Sequence, residues 1–286
     1  MGGVRLYFDV DGAKLVPDGP WMRERPTIVL LHPGPGFDHA LYKVTAGPRL
    51  RQEAQVVYLD MRGHGRSDRS QPELLRLDTW ADDVKGLCDA LGIERPVVLG
   101  FGFGSMVAAR YASRYPDHPA ALVLAAPVAR FVPARTVAVL DRLGGAEVGE
   151  AARLFWEDPN EHTFADYVRL CVPHIISYDL TAEVFARSQW DFATLIDWQA
   201  AEGRTVDMRS DFASIGVPTL ALAGEDDPQS PLASAEEAVA AIPQELVEFH
   251  RIPGARHSIF RDSPAALETV VAFLRRVDQE RREEAA

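Results

Sequence analysis

The chain has 286 residues, 47% of them apolar and 25% charged, enough to bury a large core as one domain or as a domain with an insertion. Its 42 acidic and 30 basic side chains leave a formal charge of −12, which argues against nucleic acid or an anionic membrane surface as a partner, since both need a basic face. Cys88 and Cys171 are the only cysteines; each lies in apolar helical sequence and reads as a buried thiol, not half of a disulfide. No apolar run is long enough to span a bilayer, and the start of the chain lacks a basic-then-apolar signal. A cytoplasmic protein, monomer or homodimer, is the expectation.

Residues 4–9 alternate apolar and polar and predict a strand, with a turn at Asp11-Gly12. A loop through Pro17, Pro20 and Pro26 leads into Thr27-Ile28-Val29-Leu30-Leu31, apolar throughout, as a strand covered on both faces is. His32-Pro33-Gly34-Pro35-Gly36 is too rich in Pro and Gly for helix or strand. A helix over 40–53, broken near Gly47-Pro48, precedes a second buried strand, Gln55–Asp60. Leu77, Trp80, Val84, Leu87, Cys88 and Leu91 recur at helical spacing, and Gly92 stops that helix. A strand, turn and helix over 96–114 and a strand over 121–125 continue the alternation.

The rhythm then breaks. Residues 130–206 carry helical patterns at 134–143, 147–157, 163–172 and 182–201 and no strand pattern. It resumes with a strand at 217–223, a helix at 232–241, a strand at 246–252 and a helix at 264–277, beyond which the charged tail is expected to fray. The expected fold is therefore α/β, with a mostly parallel central sheet flanked by helices. The core comprises 1–129 and 207–286, and a helical cap, or lid, spans 130–206.

The stretch that organises the chemistry is Gly100-Phe101-Gly102-Phe103-Gly104, at a strand-to-helix turn. It has the frame of the G-x-S-x-G nucleophile elbow with glycine in place of serine. Past the strand at 217–223 lies an acidic loop, Gly224-Glu225-Asp226-Asp227-Pro228, and past the next strand lies His257, in Pro253-Gly254-Ala255-Arg256-His257. Both loops leave the carboxyl ends of strands, where sites of open α/β sheets assemble. The chain order is turn, acid, histidine. Gly34 can offer an N–H to an oxyanion, Pro33 cannot, and Phe103, next after Gly102, supplies a second.

With these motifs in this order, the chain resembles the α/β-hydrolase superfamily. Within it, the prolyl iminopeptidase-like branch carries H-G-G-P-G where His32-Pro33-Gly34-Pro35-Gly36 stands and D-x-R-G-x-G-x-S where Asp60–Ser67 stands. The likeness covers 27–129 and 213–275. It implies a serine-type acyl hydrolase in which Asp227, at the G-x-x-D position, orients His257, with Asp226 and Glu225 as the other acids of the loop. Gly34 and Phe103 would form the oxyanion hole. Gly102 would stand at the nucleophile position, and Ser105, one helical turn on, would point away from the turn.

Gly102 opens three readings: a serine hydrolase disabled by substitution, an enzyme in which His257 acts as base on water or substrate without a nucleophile, and a binding protein on a hydrolase scaffold. Nine of the 25 aromatic residues fall in 151–200, Phe155, Trp156, Phe164, Tyr167, Tyr178, Phe185, Trp190, Phe192 and Trp198, about twice the chain's average density. They point to an apolar pocket wall, with Phe101, Phe155, Trp156 and Trp190 as substrate contacts. A small-molecule ester, lactone or amide with an apolar acyl or ring group is the expected substrate. An aminopeptidase would also need a carboxylate for the free amine. Glu157, Asp158, Glu161, Asp166, Asp191 and Asp197 lie in the cap, with no signature choosing among them. No metal is expected, because the eight histidines show no ligand spacing. No cofactor is expected either: serine at 105 breaks the dinucleotide fingerprint.

Overall fold

The computed structural model describes residues 3–176, 182 and 185–284. Its strands and first helices follow in chain order: β1 (Phe8–Asp11), β2 (Leu15–Asp18), β3 (Trp21–Glu24), β4 (Thr27–Leu31), α1 (Ala40–Val44), α2 (Gly47–Leu50), β5 (Gln55–Leu59), α3 (Leu77–Leu91), β6 (Val97–Phe101), α4 (Phe103–Arg114) and β7 (Ala121–Ala125). The helical stretch contains α5 (Pro133–Gly144), α6 (Ala146–Glu157), α7 (Glu161–Leu170), α8 (Val172–Ile175) and α9 (Phe192–Trp198), and ends in a π-helical turn, Gln199–Gly203. The chain then closes with α10 (Arg209–Ala213), β8 (Thr219–Gly224), α11 (Leu232–Ala241), β9 (Val247–Ile252), α12 (Ile259–Asp262) and α13 (Pro264–Glu284).

Seven strands form one sheet in the order β1-β5-β4-β6-β7-β8-β9, parallel except for β1, which runs antiparallel to β5. Every residue of β4, β6, β7 and β8 is buried, as strands covered on both faces must be. Alternate side chains feed two cores. Val29, Leu31, Val98 and Leu122 pack under α3 and α4, while Ile28, Leu30, Leu99 and Val123 pack against α13 through Val270, Phe273 and Leu274. A third, smaller core lies within α5–α8, built on Leu140, Ala152, Phe155, Tyr167 and Cys171. Both cysteines are buried and free, as expected.

Four elements differ from the sequence reading. The first strand begins at Phe8, not at residue 4, because the N–H groups of Arg5 and Tyr7 are taken by the Asp68 and Ser67 side chains and not by a neighbouring strand, although their carbonyls accept the Asp68 and Asp60 N–H groups. The proline-bearing loop contains the β2–β3 hairpin, turned at Gly19 (φ 61°). The helix expected over 182–201 is interrupted: Asp191 donates its N–H to the Gly36 carbonyl (2.7 Å) and caps α9 with its side chain, so no helix runs through it. The charged tail stays helical to Glu284. Asp278, 6% exposed, pairs with Arg281, Arg282 and Arg23, and Arg95 pairs with Glu284. Tyr178, one of the expected wall aromatics, lies outside the described residues.

Candidate active site

Four strands release the segments that meet above the sheet: β4 into the Pro33–Gly36 loop, β6 into Gly102, β8 into the Asp227 loop and β9 into His257. The turn at Gly102 is made by its neighbours. A Cβ on Gly100 would overlap the Gly104 carbonyl, and a Cβ on Gly104 would overlap the Leu31 carbonyl, so glycine at 100 lets α4 start this close to β6 and glycine at 104 lets it start this close to β4. Gly102 itself has φ 53° and ψ −113° and holds the Ala125 carbonyl through its N–H (2.8 Å). Ser105 does not point away. Its buried hydroxyl turns back to donate to the Gly102 carbonyl (2.6 Å), which fixes the peptide from below.

Asp227 is wholly buried, and both of its carboxylate oxygens are used. Oδ1 accepts the N–H groups of Gln229 (2.8 Å) and Ser230 (2.9 Å), and Oδ2 accepts from His257 Nδ1 (2.8 Å). A carboxylate only accepts, so the imidazole proton sits on Nδ1 and Nε2 presents a lone pair. The ring is stacked on Phe101 with centroids 4.8 Å apart. An ideal Cβ on Gly102 would lie 3.3 Å from His257 Cε1 and 3.4 Å from Nε2, so the imidazole stands directly against the turn. The other acids of the loop point elsewhere: Asp226 pairs with Arg142, and Glu225 is exposed.

Below the turn, His32 and His64 are buried 4.9 Å apart between centroids. His32 accepts the Met61 N–H and donates to the Pro33 carbonyl, so it braces the loop that carries Gly34. Burial, with His32 beside it, pushes the His64 imidazole down to about 3, and its Nε2 has no partner.

These groups open into a cavity of about 210 Å³. Gly34, Phe101, Gly102, Phe103 and His257 line it from the sheet side, and Phe155, Trp156 and Trp190 line it from the helical stretch. The structure thus brings these residues together, with Asp227 behind His257; of the other expected wall aromatics Phe164, Tyr167, Phe185 and Trp198 also line the cavity, whereas Phe192 does not. Trp190, 41% exposed, stands where the cavity meets solvent.

Sequence reasoning missed how the helical stretch grips the site. The His257 N–H donates to the Ile175 carbonyl (3.2 Å), Arg256 donates to the Pro173 carbonyl (3.1 Å), and the Tyr167 hydroxyl donates to Gln229 Oε1 (2.8 Å). On the opposite wall, Asp191 holds Gly36, and the Gln189 N–H donates to buried Asp38 (2.8 Å). The Asp227-Pro228-Gln229-Ser230 turn had a local signal, an Asp before Pro whose side chain captures the following N–H groups. The grip between segments had none. Among the described residues, no group of three His, Cys, Asp or Glu could hold a metal ion, and no helix is long and apolar enough to cross a membrane.

A family model described as the alpha/beta hydrolase fold matches residues 26–264. This chain belongs to that family. The AB hydrolase superfamily protein YisY of Bacillus subtilis is 28% identical over 258 residues, 86% of this α/β-hydrolase and 90% of the relative. Monoacylglycerol lipase of Mycolicibacterium smegmatis is 27% identical over 271 residues, 92% and 89% of the two chains. Likeness to proline iminopeptidase of Lactobacillus helveticus is partial: 29% identity over 119 residues, 41% of this chain and 37% of that one. The crystal structure of VinJ agrees in fold along nearly the whole chain, with a TM-score of 0.77, 20% identity and 97% of each chain covered.

Proposed function

We propose that this α/β-hydrolase acts on a small apolar ester, lactone or amide at a site in which Asp227 orients His257 as general base. In this reading Gly102 holds the position that serine enzymes of the family give to the nucleophile. The N–H groups of Gly34 and Phe103 form the oxyanion hole, and residues 130–206 are the cap. The observation that carries it is the 3.4 Å between an ideal Cβ on Gly102 and His257 Nε2. From there a serine hydroxyl would reach the base, the relation that nucleophilic acyl transfer requires.

Without that hydroxyl no acyl-enzyme can form. The Nε2 lone pair then takes a proton from water as the water attacks the carbonyl, in a single displacement. Phe101, Phe155, Trp156 and Trp190 hold the apolar part of the substrate. The whole-length likeness to a monoacylglycerol lipase supports an acyl ester over a peptide. A second reading, a non-catalytic binding protein, has the glycine in its favour and the complete Asp227–His257 pair against it.

The test compares this chain with Gly102→Ser and His257→Ala on aryl esters, lactones and aminoacyl arylamides with apolar acyl groups. This chain is expected to turn over esters without a pre-steady-state burst, and His257→Ala is expected to lose that activity by about 10³-fold. Gly102→Ser is expected to be faster and to show an acyl-enzyme burst. Silence from both this chain and Gly102→Ser, with ligand binding retained, would favour the binding protein.

A further inference from the structure

We infer that Gln199 selects a substrate that carries a hydroxyl group, which the Gln199 amide binds away from the scissile carbonyl. The inference rests on the reading of the cavity as the substrate site and names the class of substrate that site takes. Gln199 is only 7% exposed and lines the cavity. Among the described residues no protein group bonds its side-chain amide. Nor is that amide shut off from water, as Trp156 Nε1, Trp198 Nε1 and Ser258 Oγ of the same lining are. It therefore faces whatever fills the cavity. Elsewhere in the lining, Asp38 is held by Arg66 and by the Ala40 and Gln189 N–H groups, and Gln229 by Tyr167. Ser230 and Ser258 adjoin Asp227 and His257, whereas Gln199 comes from the helical stretch.

The π-helical turn Gln199–Gly203 sets the amide in place. Consecutive side chains of an α-helix point about 100° apart, yet where α9 passes into this wider turn both Trp198 and Gln199 line the cavity. Gly203 leaves them nowhere to retreat: an ideal Cβ on it would lie 2.6 Å from the Trp198 ring and 3.1 Å from Gln199 Cδ, so both side chains already pack on bare backbone. Glu202 ties the turn to the core by accepting the Leu77 N–H at the start of α3 (2.9 Å). Trp198 stands edge-on to Phe103, with centroids 5.2 Å apart, so the turn reaches the elbow helix.

A primary amide offers an acceptor, Oε1, beside the donors on Nε2. One hydroxyl answers both through a single oxygen, donating to Oε1 and accepting from Nε2. A ketone or an ether answers Nε2 alone and leaves Oε1 bare. A carboxylate sets its own charge against Oε1 in an apolar cavity. A hydrocarbon displaces water from the amide and returns no bond, and a site with a stranded polar group discriminates strongly against such a ligand.

The experiment reads binding and turnover separately. Binding is followed by the fluorescence of the cavity tryptophans with nonan-2-one, a ketone that cannot be hydrolysed, and with nonan-2-ones carrying a hydroxyl or a methoxy group at one of the carbons farthest from the carbonyl. The best hydroxyketone is expected to bind at least about tenfold tighter than nonan-2-one and than its methoxy counterpart. The same preference is expected in kcat/KM for a p-nitrophenyl hydroxyoctanoate over p-nitrophenyl octanoate. Octanoate esters of ethylene glycol and of propanol put the question to the alcohol side. Gln199→Met, of similar length but without the amide, is expected to bring the ratios to about one. A hydroxyl preference in either series that this variant removes supports the inference and tells which end of the substrate carries the group. If the variant fails to fold, the hydroxyl-to-methoxy ratio on the unaltered chain decides. No hydroxyl preference, or one that survives Gln199→Met, would overturn the inference, and His257-dependent hydrolysis of the plain octanoate would then leave the hydrolase reading standing. Hydroxyl-selective binding with no turnover by this chain or by Gly102→Ser would keep the inference and overturn the hydrolase reading. Neither binding nor turnover of any member would overturn both.

Discussion

The two sides of the site are built to different degrees of completion. On the histidine side, the base side of the proposed site, both carboxylate oxygens of Asp227 are used, the His257 ring is stacked and Nδ1 faces the carboxylate. On the elbow side the backbone is equally well made. Gly100 and Gly104 allow the close approach of α4 to β6 and β4, and Gly102 is tied to Ala125 and Ser105, yet the side chain that this geometry would present is absent. Backbone architecture and reactive atom are therefore separable here. The turn depends on glycines and hydrogen bonds around position 102, and nothing in its stability requires a hydroxyl at that position.

That contrast can be broken from either side. Asp227→Asn attacks the base side: its amide can still accept the Gln229 and Ser230 N–H groups, but its NH₂ face drives the His257 proton to Nε2. A fall of about 10³-fold in kcat with little change in KM is expected, read on the best ester of the panel. Gly104→Ala attacks the elbow side, because the new Cβ meets the Leu31 carbonyl. The expected cost is about 3 kcal/mol, the upper end for forced overpacking, measured by urea denaturation.

Acid should also act on the elbow side. His64, under Phe103, is held neutral by burial down to about 3, against an ordinary value of 6.5. The unfolded chain therefore binds a proton there before the folded one does, and stability falls as pH drops from 6.5 toward 3. Asp60 adds a lower step. Burial raises its carboxyl, but the His39 hydrogen bond and the charges around it lower it further, to about 2, so its contribution is lost between about 4 and 2. Denaturation midpoints across this range check both, and His64→Gln is expected to flatten the upper part. The smallest effect is expected from Tyr167→Phe, which removes one buried hydroxyl bond to Gln229 at a cost of about 1 kcal/mol.

Much of this was legible in the sequence wherever burial is two-sided or a glycine has a steric reason. Thr27–Leu31, Val97–Phe101 and Ala121–Ala125 read as strands because both faces are covered. Gly92 read as a stop because a left-handed residue ends α3 (φ 62°). His257 and Asp227 could be named from chain order and their place after strands. What escaped depends on partners far along the chain. The break at Asp191 follows from Gly36, the retained helix after Asp278 follows from Arg23 and Arg95, and the inward turn of Ser105 follows from a carbonyl that only the folded turn presents. Local pattern reports which face is apolar; it does not report which distant backbone group will claim a hydrogen bond.

The bond from the His257 N–H to the Ile175 carbonyl has one more consequence. Ile175 also lines the cavity, so one short segment both shapes the cavity and sets the height of the His257 ring. Grafting the helices of a relative onto this sheet to change what it accepts would therefore also move the His257 ring that the proposed proton transfer uses. On the proposed reading of the site, selectivity and reactivity are inherited as a single trait.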